Sequence, residues 1–313
     1  MSHNNISPRC NKSNSNVVVV SKVLVILLSN SLGDTIAMSP YVSEFQKLRN
    51  CEVHCSVNDI YTFLFDNTYQ NVNFIGRDVR ENYDEVLELD YVFTESIQSG
   101  YAKQLGFDNP HYIRPEILVG SFSRPIKNKY ITLGVHSTSQ IKYWNHIEGK
   151  KVQGITPNWN ELCGLLRKKG YTPVTVEKYE LFGSKPEFNG VPSKSNKQIG
   201  KSLIEAINLI QHSEFYIGLS SGMSWVAHAL GKKVVMISNF TEEWNEFDLS
   251  LPDYIRITNK SVCHGCWNKI NIDYQFDKND WYWCPLHKDT PKQFECHTSI
   301  TPTMVMNQIK KWL

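Results

Sequence analysis

Short apolar, β-branched runs alternate with helical patterns along most of this chain, and that rhythm admits few folds. Val23–Leu28 is followed by a helical pattern from Thr35 to Leu48, then by further runs at Glu52–Ser56 and Glu85–Leu89. Strands that return parallel to one another need a helical crossover, so the alternation predicts an α/β fold with parallel sheets. A Pro-rich and polar stretch, Asn109–Lys129, interrupts the pattern, which restarts at Tyr130–His136. It continues with a helix over Trp159–Lys169, a strand at Thr172–Val176, a helix over Gln198–Gln211 and a strand at Phe215–Leu219. A helix over Met223–Leu230 and a strand at Lys233–Ile237 complete the run. Two Rossmann-like lobes facing across a cleft follow, one over 17–125 and one over 126–313, with ligands outside the carboxyl ends of the strands. The C-terminal helix, near Pro302–Trp312, is placed to cross back onto the first lobe. Residues 1–16, rich in Asn and Ser, read as a disordered tail.

The chain has 313 residues and a formal net charge of +2, enough length for two compact lobes and no electrostatic footprint for nucleic acid or an anionic membrane surface. The apolar run Val17–Ser29 is interrupted by Lys22, is too short to span a bilayer and lacks a small-residue cleavage pattern, so it reads as a buried strand in a cytoplasmic protein. There are eight cysteines; Cys10, Cys51, Cys55 and Cys163 are scattered and read as free thiols.

The first strand runs into Ser29-Asn30-Ser31-Leu32-Gly33-Asp34-Thr35, which sets a carboxylate at a strand's carboxyl end and a helix start. Asp34 reads either as a plain helix cap, stabilised by unpaired N–H groups, or as a general base at the cleft rim. In the second lobe, Gly218-Leu219-Ser220-Ser221-Gly222-Met223-Ser224 joins a strand to a helix, where backbone N–H groups gather anions; a structural turn with a serine cap is the alternative. The loop from Gly134 through His136, Ser137, Thr138, Gln140 and Lys142 to Trp144 and Asn145 supplies hydroxyls, an amide and a cation. Lys142 reads as a counter-charge for a departing diphosphate or as a solvated surface lysine. Trp225 and His228 read as packing residues.

Cys263-His264-Gly265-Cys266 is followed by Cys284 after seventeen intervening residues and by Cys296 after eleven more. Two-residue spacing lets both sulfurs of the first pair bind one ion, and four thiolates suit tetrahedral zinc or iron. A set with no open position makes that metal structural; His264, His287 and His297 are the substitute ligands. Between Cys263 and Cys296 acids outnumber lysines and arginine is absent, which argues against a nucleic-acid finger.

Taken in order, these motifs resemble the bacterial autotransporter heptosyltransferase family, related to the lipopolysaccharide heptosyltransferases of two-Rossmann-lobe (GT-B) fold. The resemblance is carried by Ser31–Thr35, His136-Ser137-Thr138 with Lys142–Asn145, Gly218–Trp225, Asn245-Glu246-Phe247, Cys263–Trp267, Asp280–Pro285 and Phe294-Glu295-Cys296. It implies inverting transfer of heptose from ADP-heptose to Ser or Thr hydroxyls of a surface adhesin before export. By that resemblance Asp34 is the base, and Lys142 with Ser220, Ser221, Gly222, Met223 and Ser224 holds the diphosphate. Ser137, Thr138, Gln140, Asn245, Glu246 and Phe247 lie near the donor, and the four cysteines occupy a site that the family associates with iron. No catalytic divalent metal is expected, because a cation and a helix end can neutralise the diphosphate. Larger members carry an N-terminal region that builds oligomers, whereas a short polar tail precedes the first strand here; a homo-oligomer remains an expectation. Two other readings stand beside this one: the same donor with a glycan or lipid-linked acceptor, and a non-catalytic nucleotide-sugar binding scaffold.

Overall fold

The structure is a computed structural model that describes residues 21–77, 82–137, 144, 157–184 and 187–313. The expected tail at 1–16 lies outside the described residues.

In the first half, β1 (Lys22–Leu27) leads into α1 (Leu32–Arg49), β2 (Glu52–Ser56), β3 (Asn73–Ile75), β4 (Glu85–Leu89) and α2 (Ile97–Gln104). The strands pair in parallel in the order β3-β2-β1-β4. Val23, Leu24, Val25 and Leu27 are all buried, the pattern of a strand covered on both faces. Ser31 caps α1 with its hydroxyl, and Asn50, in the left-handed region at φ 46°, closes it through an N–H to the Gln46 carbonyl. Asn is one of the few residues that tolerate this conformation.

The second half builds β5 (Tyr130–Gly134), α3 (Pro157–Lys168), β6 (Thr172–Glu177), a hairpin of β7 (Leu181–Ser184) and β8 (Glu187–Gly190), and β9 (Asn196–Ile199). It continues with α4 (Leu203–Gln211), β10 (Tyr216–Leu219), α5 (Gly222–Ala229), β11 (Val234–Ile237), β12 (Tyr254–Ile257), α6 (Glu295–Thr298) and α7 (Pro302–Ile309). Among the described residues, a second parallel sheet has the order β12-β11-β10-β5-β6-β9.

Two expectations are corrected. The helix expected over Gln198–Gln211 is divided: β9 pairs with β6, Gly200 turns the chain at φ 71°, and Ser202 then starts α4 in a reciprocal capping box with Glu205. The C-terminal helix does not cross to the first sheet. Val305 and Ile309 of α7 are buried with Ile131, Leu133 and Trp159 of the second half, and Trp144 Nε1 donates to the Ile300 carbonyl at 2.8 Å just before the helix. These apolar side chains find their burial on β12 and α3, so no surface remains to draw the helix elsewhere.

The two sheets share a core. It runs from Val23 and Val25 through Ile36 and Met38 of α1 to Trp225 and Val226 of α5 and Met236 of β11. Helices α1 and α5 therefore pack directly on each other, and the carboxyl ends of β1 and β10 open on one cleft. No described helix is long and apolar enough to cross a membrane.

Candidate active site

The first-lobe corner of the cleft is made by the turn after β1. Ser31 is the N-cap, and its Oγ accepts from the Asp34 N–H at 3.4 Å, so Asp34 occupies the third helical position and the plain-cap reading of that residue is overturned. Its side chain is nearly buried, accepts a hydrogen bond from the Ser29 hydroxyl and lines the cleft. A carboxylate in a helix's first turn is stabilised by the positive end of the dipole. Arg77 steadies the turn from below, its Nη2 donating to the carbonyls of Leu27 at 2.5 Å and Ser29 at 2.8 Å. Tyr91 and Tyr101 flank the acid: burial first, and then the Asp34 charge, push both phenols well above their ordinary range.

The second-lobe corner is the β10–α5 turn, and it touches the first. A Cβ on Gly222 would stand 2.9 Å from Leu32 Cβ and 3.1 Å from Gly33 N; one on Gly33 would stand 3.0 Å from Trp225 Cδ1. Only glycine permits this approach, which brings two helix N-termini together at the cleft floor. Ser220 donates to Glu246, which also accepts from the Thr241 hydroxyl at 2.9 Å and from Arg256 Nη1 at 2.6 Å. Arg256 and Glu246 form a fully buried ion pair that ties the loop after β11 to β12.

A third acid was not singled out in the sequence. Glu177, the last residue of β6, accepts the N–H groups of Val135 at 2.5 Å and His136 at 2.8 Å, and its other oxygen lies 3.6 Å from His136 Nδ1. Burial pushes its pKa up to about 7 against the lowering pull of those two N–H donors. Its position at the carboxyl end of a parallel strand was the available signal. His136 in turn stacks on Phe182 with ring centroids 5.6 Å apart.

Asp34, Ser137, Ser220, Ser221, Gly222, Met223, Asn245 and Glu246 line a single cleft of about 610 Å³, joined by Tyr61, Tyr91, Glu177, Lys178 and Trp267. Ser224 and Phe247 stand behind it. The Ser224 hydroxyl turns back to the Leu219 carbonyl at 2.6 Å, and Phe247 is packed edge-on against Trp225 and flat against His228. Thr138, Gln140 and Lys142 lie outside the described residues.

Beside the cleft, Cys263, Cys266, Cys284 and Cys296 line one cavity of about 20 Å³, room for a single ion. Cys284 and Cys296 are buried. Burial, then the neighbouring cysteines, raise the Cys266 and Cys296 thiols, an arrangement that a cation would relieve. Gly265 makes the turn between the first two sulfurs at φ 68°, with Glu242 where a side chain would go. An overlapping set is also present: ligand atoms of Cys263, His287 and Glu295 lie within 4.8 Å of one another. Among the described residues, only this second set brings three ligand atoms that close together, and it shares Cys263 with the four-cysteine cavity.

No family model matches the chain. It is 31% identical over 302 residues to the autotransporter heptosyltransferase TibC of Escherichia coli O78:H11 strain H10407, a match covering 92% of this chain and 71% of the relative. It is 29% identical over 304 residues to the autotransporter heptosyltransferase Aah of Escherichia coli, covering 92% and 73%. A crystal structure of TibC, described as a dodecameric iron-containing heptosyltransferase in complex with ADP-D-β-D-heptose, superposes with a TM-score of 0.83 at 28% identity, over 93% of this chain and 76% of that one. At 25% identity the chain also resembles BimC of Burkholderia thailandensis, described as an inactive autotransporter heptosyltransferase, over 92% of this chain and 68% of the relative.

Proposed function

The chain belongs to the autotransporter heptosyltransferases, and from that premise we propose that it moves heptose from ADP-heptose onto Ser or Thr hydroxyls of an adhesin-type protein, with inversion and with Asp34 as base. The observation that carries this reading is the meeting of two helix ends at one cleft. The α1 end bears the Asp34 carboxylate, and the α5 end bears only uncharged residues, Ser220, Ser221, Gly222 and Met223. Asp34 takes the proton of the acceptor hydroxyl as its oxygen bonds to the anomeric carbon. The bond from that carbon to the phosphate oxygen breaks, and ADP departs with the electron pair. The α5 N–H groups, with Lys178 at the cleft wall, meet the charge that develops on the diphosphate, and Lys142 keeps the diphosphate role that the resemblance implies for it. Ser137, Thr138, Gln140, Asn245 and Glu246 serve the donor side of the cleft. In this reading the acceptor lobe spans 17–125, the donor lobe spans 126–313, and transfer takes place in the cytoplasm.

Iron is the ion proposed for the finger, held by Cys263, Cys266, Cys284 and Cys296, with His287 and Glu295 outside the sulfur set. The donor set is soft and closed, and TibC is described as iron-containing. Bound there, the metal supplies a crosslink between distant parts of the chain. A homo-oligomer is proposed by the same likeness, since TibC is described as dodecameric.

The test is incubation of the purified protein with ADP-heptose and an adhesin passenger segment, read by intact mass and by the anomeric configuration of the product. A heptose increment with inverted configuration is expected. Transfer to a glycan with none to protein would move the acceptor. Binding of ADP-heptose with neither transfer nor hydrolysis would favour the non-catalytic reading, for which the likeness to BimC is the specific observation.

A further inference from the structure

The turn that carries Cys266 also carries two side chains that reach across to the first lobe. Cys266–Lys269 forms one 3-10 turn, and Trp267 and Asn268 project from it toward the loop after β4. Trp267 Nε1 donates to Tyr91 Oη at 2.9 Å, and Tyr91 Oη donates onward to Asn245 Oδ1 at 3.3 Å. The buried Asn268 amide donates to the Phe93 carbonyl at 2.8 Å and to Asn245 Oδ1 at 2.7 Å, while its own oxygen accepts the Glu242 N–H at 2.8 Å. Asn245 closes the circuit, its carbonyl accepting the Ile97 N–H at 2.9 Å as α2 begins. Phe93 meets the Trp267 ring at a centroid distance of 5.3 Å. Buried polar side chains satisfied this completely, from both lobes at once, hold one geometry and penalise any other.

Tyr91 is also a neighbour of Asp34, whose charge acts on its phenol. One turn therefore bears a sulfur ligand at position 266 and, at the next two positions, the groups that pin the first lobe beside its acid. We propose that the metal finger is the clasp between the two lobes, with Trp267 and Asn268 as positioning residues that fix the Asp34 corner against the donor corner; this rests on the assignment of Asp34 as base. Metal binding sets the turn, the turn sets Tyr91 and the 93–97 backbone, and the acid is thereby held at its working distance. A misplacement of about 1 Å at such a site costs on the order of a hundredfold in rate.

The experiment is amide hydrogen exchange on the metal-loaded protein, before and after chelation, and on Asn268→Ala and Trp267→Phe with metal content measured. The clasp requires faster exchange at 91–99, far from the finger in sequence, both on chelation and in the variants with metal retained. It also requires that Trp267→Phe lose on the order of tenfold or more in kcat while its KM for ADP-heptose changes by less than about twofold, because that change leaves the α5 turn and the Asn268–Asn245 hydrogen bond in place. Trp267→Phe keeps the ring and removes only the donor, so it stands if Asn268→Ala fails to fold. Exchange changes confined to 239–298, or an unaltered kcat in the metal-loaded Trp267→Phe protein, would overturn the clasp. Exchange is read without turnover: full activity in Asp34→Asn would remove the base and leave the exchange result legible, whereas unprotected finger residues beside an unchanged 91–99 would remove the clasp and leave the base.

Discussion

Helices α1 and α5 begin at the same cleft and touch at Gly33 and Gly222, yet their first turns are filled in opposite ways. The α1 end supplies its own anion, Asp34, bonded to Ser29 and open to the cleft. The α5 end supplies none. The acids nearby on that side are occupied elsewhere, Glu246 with Arg256, Ser220 and Thr241, and Glu177 with two backbone N–H groups. Glu177 is moreover held toward its neutral form by burial, which limits the negative charge on that side of the cleft. Two helix ends thus make two unequal corners, one already holding a carboxylate and the other holding none, which is the contrast on which the proposed base and diphosphate sites rest.

The largest effect that tests this contrast is on chemistry. Asp34→Asn should lower kcat by about 10³- to 10⁴-fold, ~4 to 5.5 kcal/mol of barrier, while calorimetric affinity for ADP-heptose stays near wild type. A comparable loss of donor affinity would break the division between the corners. Next comes Arg256→Met, which strands the Glu246 carboxylate in the core; urea unfolding should show a loss of about 3–5 kcal/mol, largely recovered by adding Glu246→Gln. A loss below about 1 kcal/mol would mean that Glu246 is not committed to its ion pair.

Glu177 gives a pH signature. Its folded pKa of about 7 lies above the ordinary carboxylate value of about 4.3, so the folded state holds the proton more tightly. Stability should be greatest below about pH 4.5 on this group's account and should fall as pH rises toward 7, by on the order of 3 kcal/mol in total. Glu177→Gln should flatten that window in denaturation curves taken across it; a retained slope would assign the titration elsewhere. The smallest effect is steric. Gly222→Ala should cost about 1–3 kcal/mol in thermal unfolding, since the new methyl group meets Leu32 and the Gly33 backbone, and donor affinity should weaken as the α5 end shifts. Unchanged melting and affinity would show that the two helix ends have room to part.

The regular elements near the site were legible because their signals are local. A continuous apolar run makes β1, and Ser31 followed by a polar, glycine-containing turn starts α1. The same local reading erred where two signals overlapped. Apolar residues in the 198–211 segment suggested one helix, although Gly200 and the Ser202/Glu205 capping box mark the break within it. Ser224 and Phe247 were grouped with their cleft-lining neighbours, but helix phase and the core under α5 turn them inward. Glu177 and Tyr91 escaped notice, and Trp267 entered only as part of the finger motif, because each is an ordinary residue until another segment is brought to it.

By itself the sequence determined the strand and helix rhythm, the acid in the turn after the first strand, the small-residue turn at α5 and the four-cysteine spacing. Those depend on side-chain period, cap chemistry and short-range geometry, which operate within a few residues. Tertiary structure alone decided that Gly33 meets Gly222, that α7 stays with the second sheet, that Glu177 is buried and that the Cys266 turn reaches Tyr91 and Phe93. Each of these joins residues far apart in the chain. Burial, and the electrostatics that follow from it, exist only once those surfaces are pressed together.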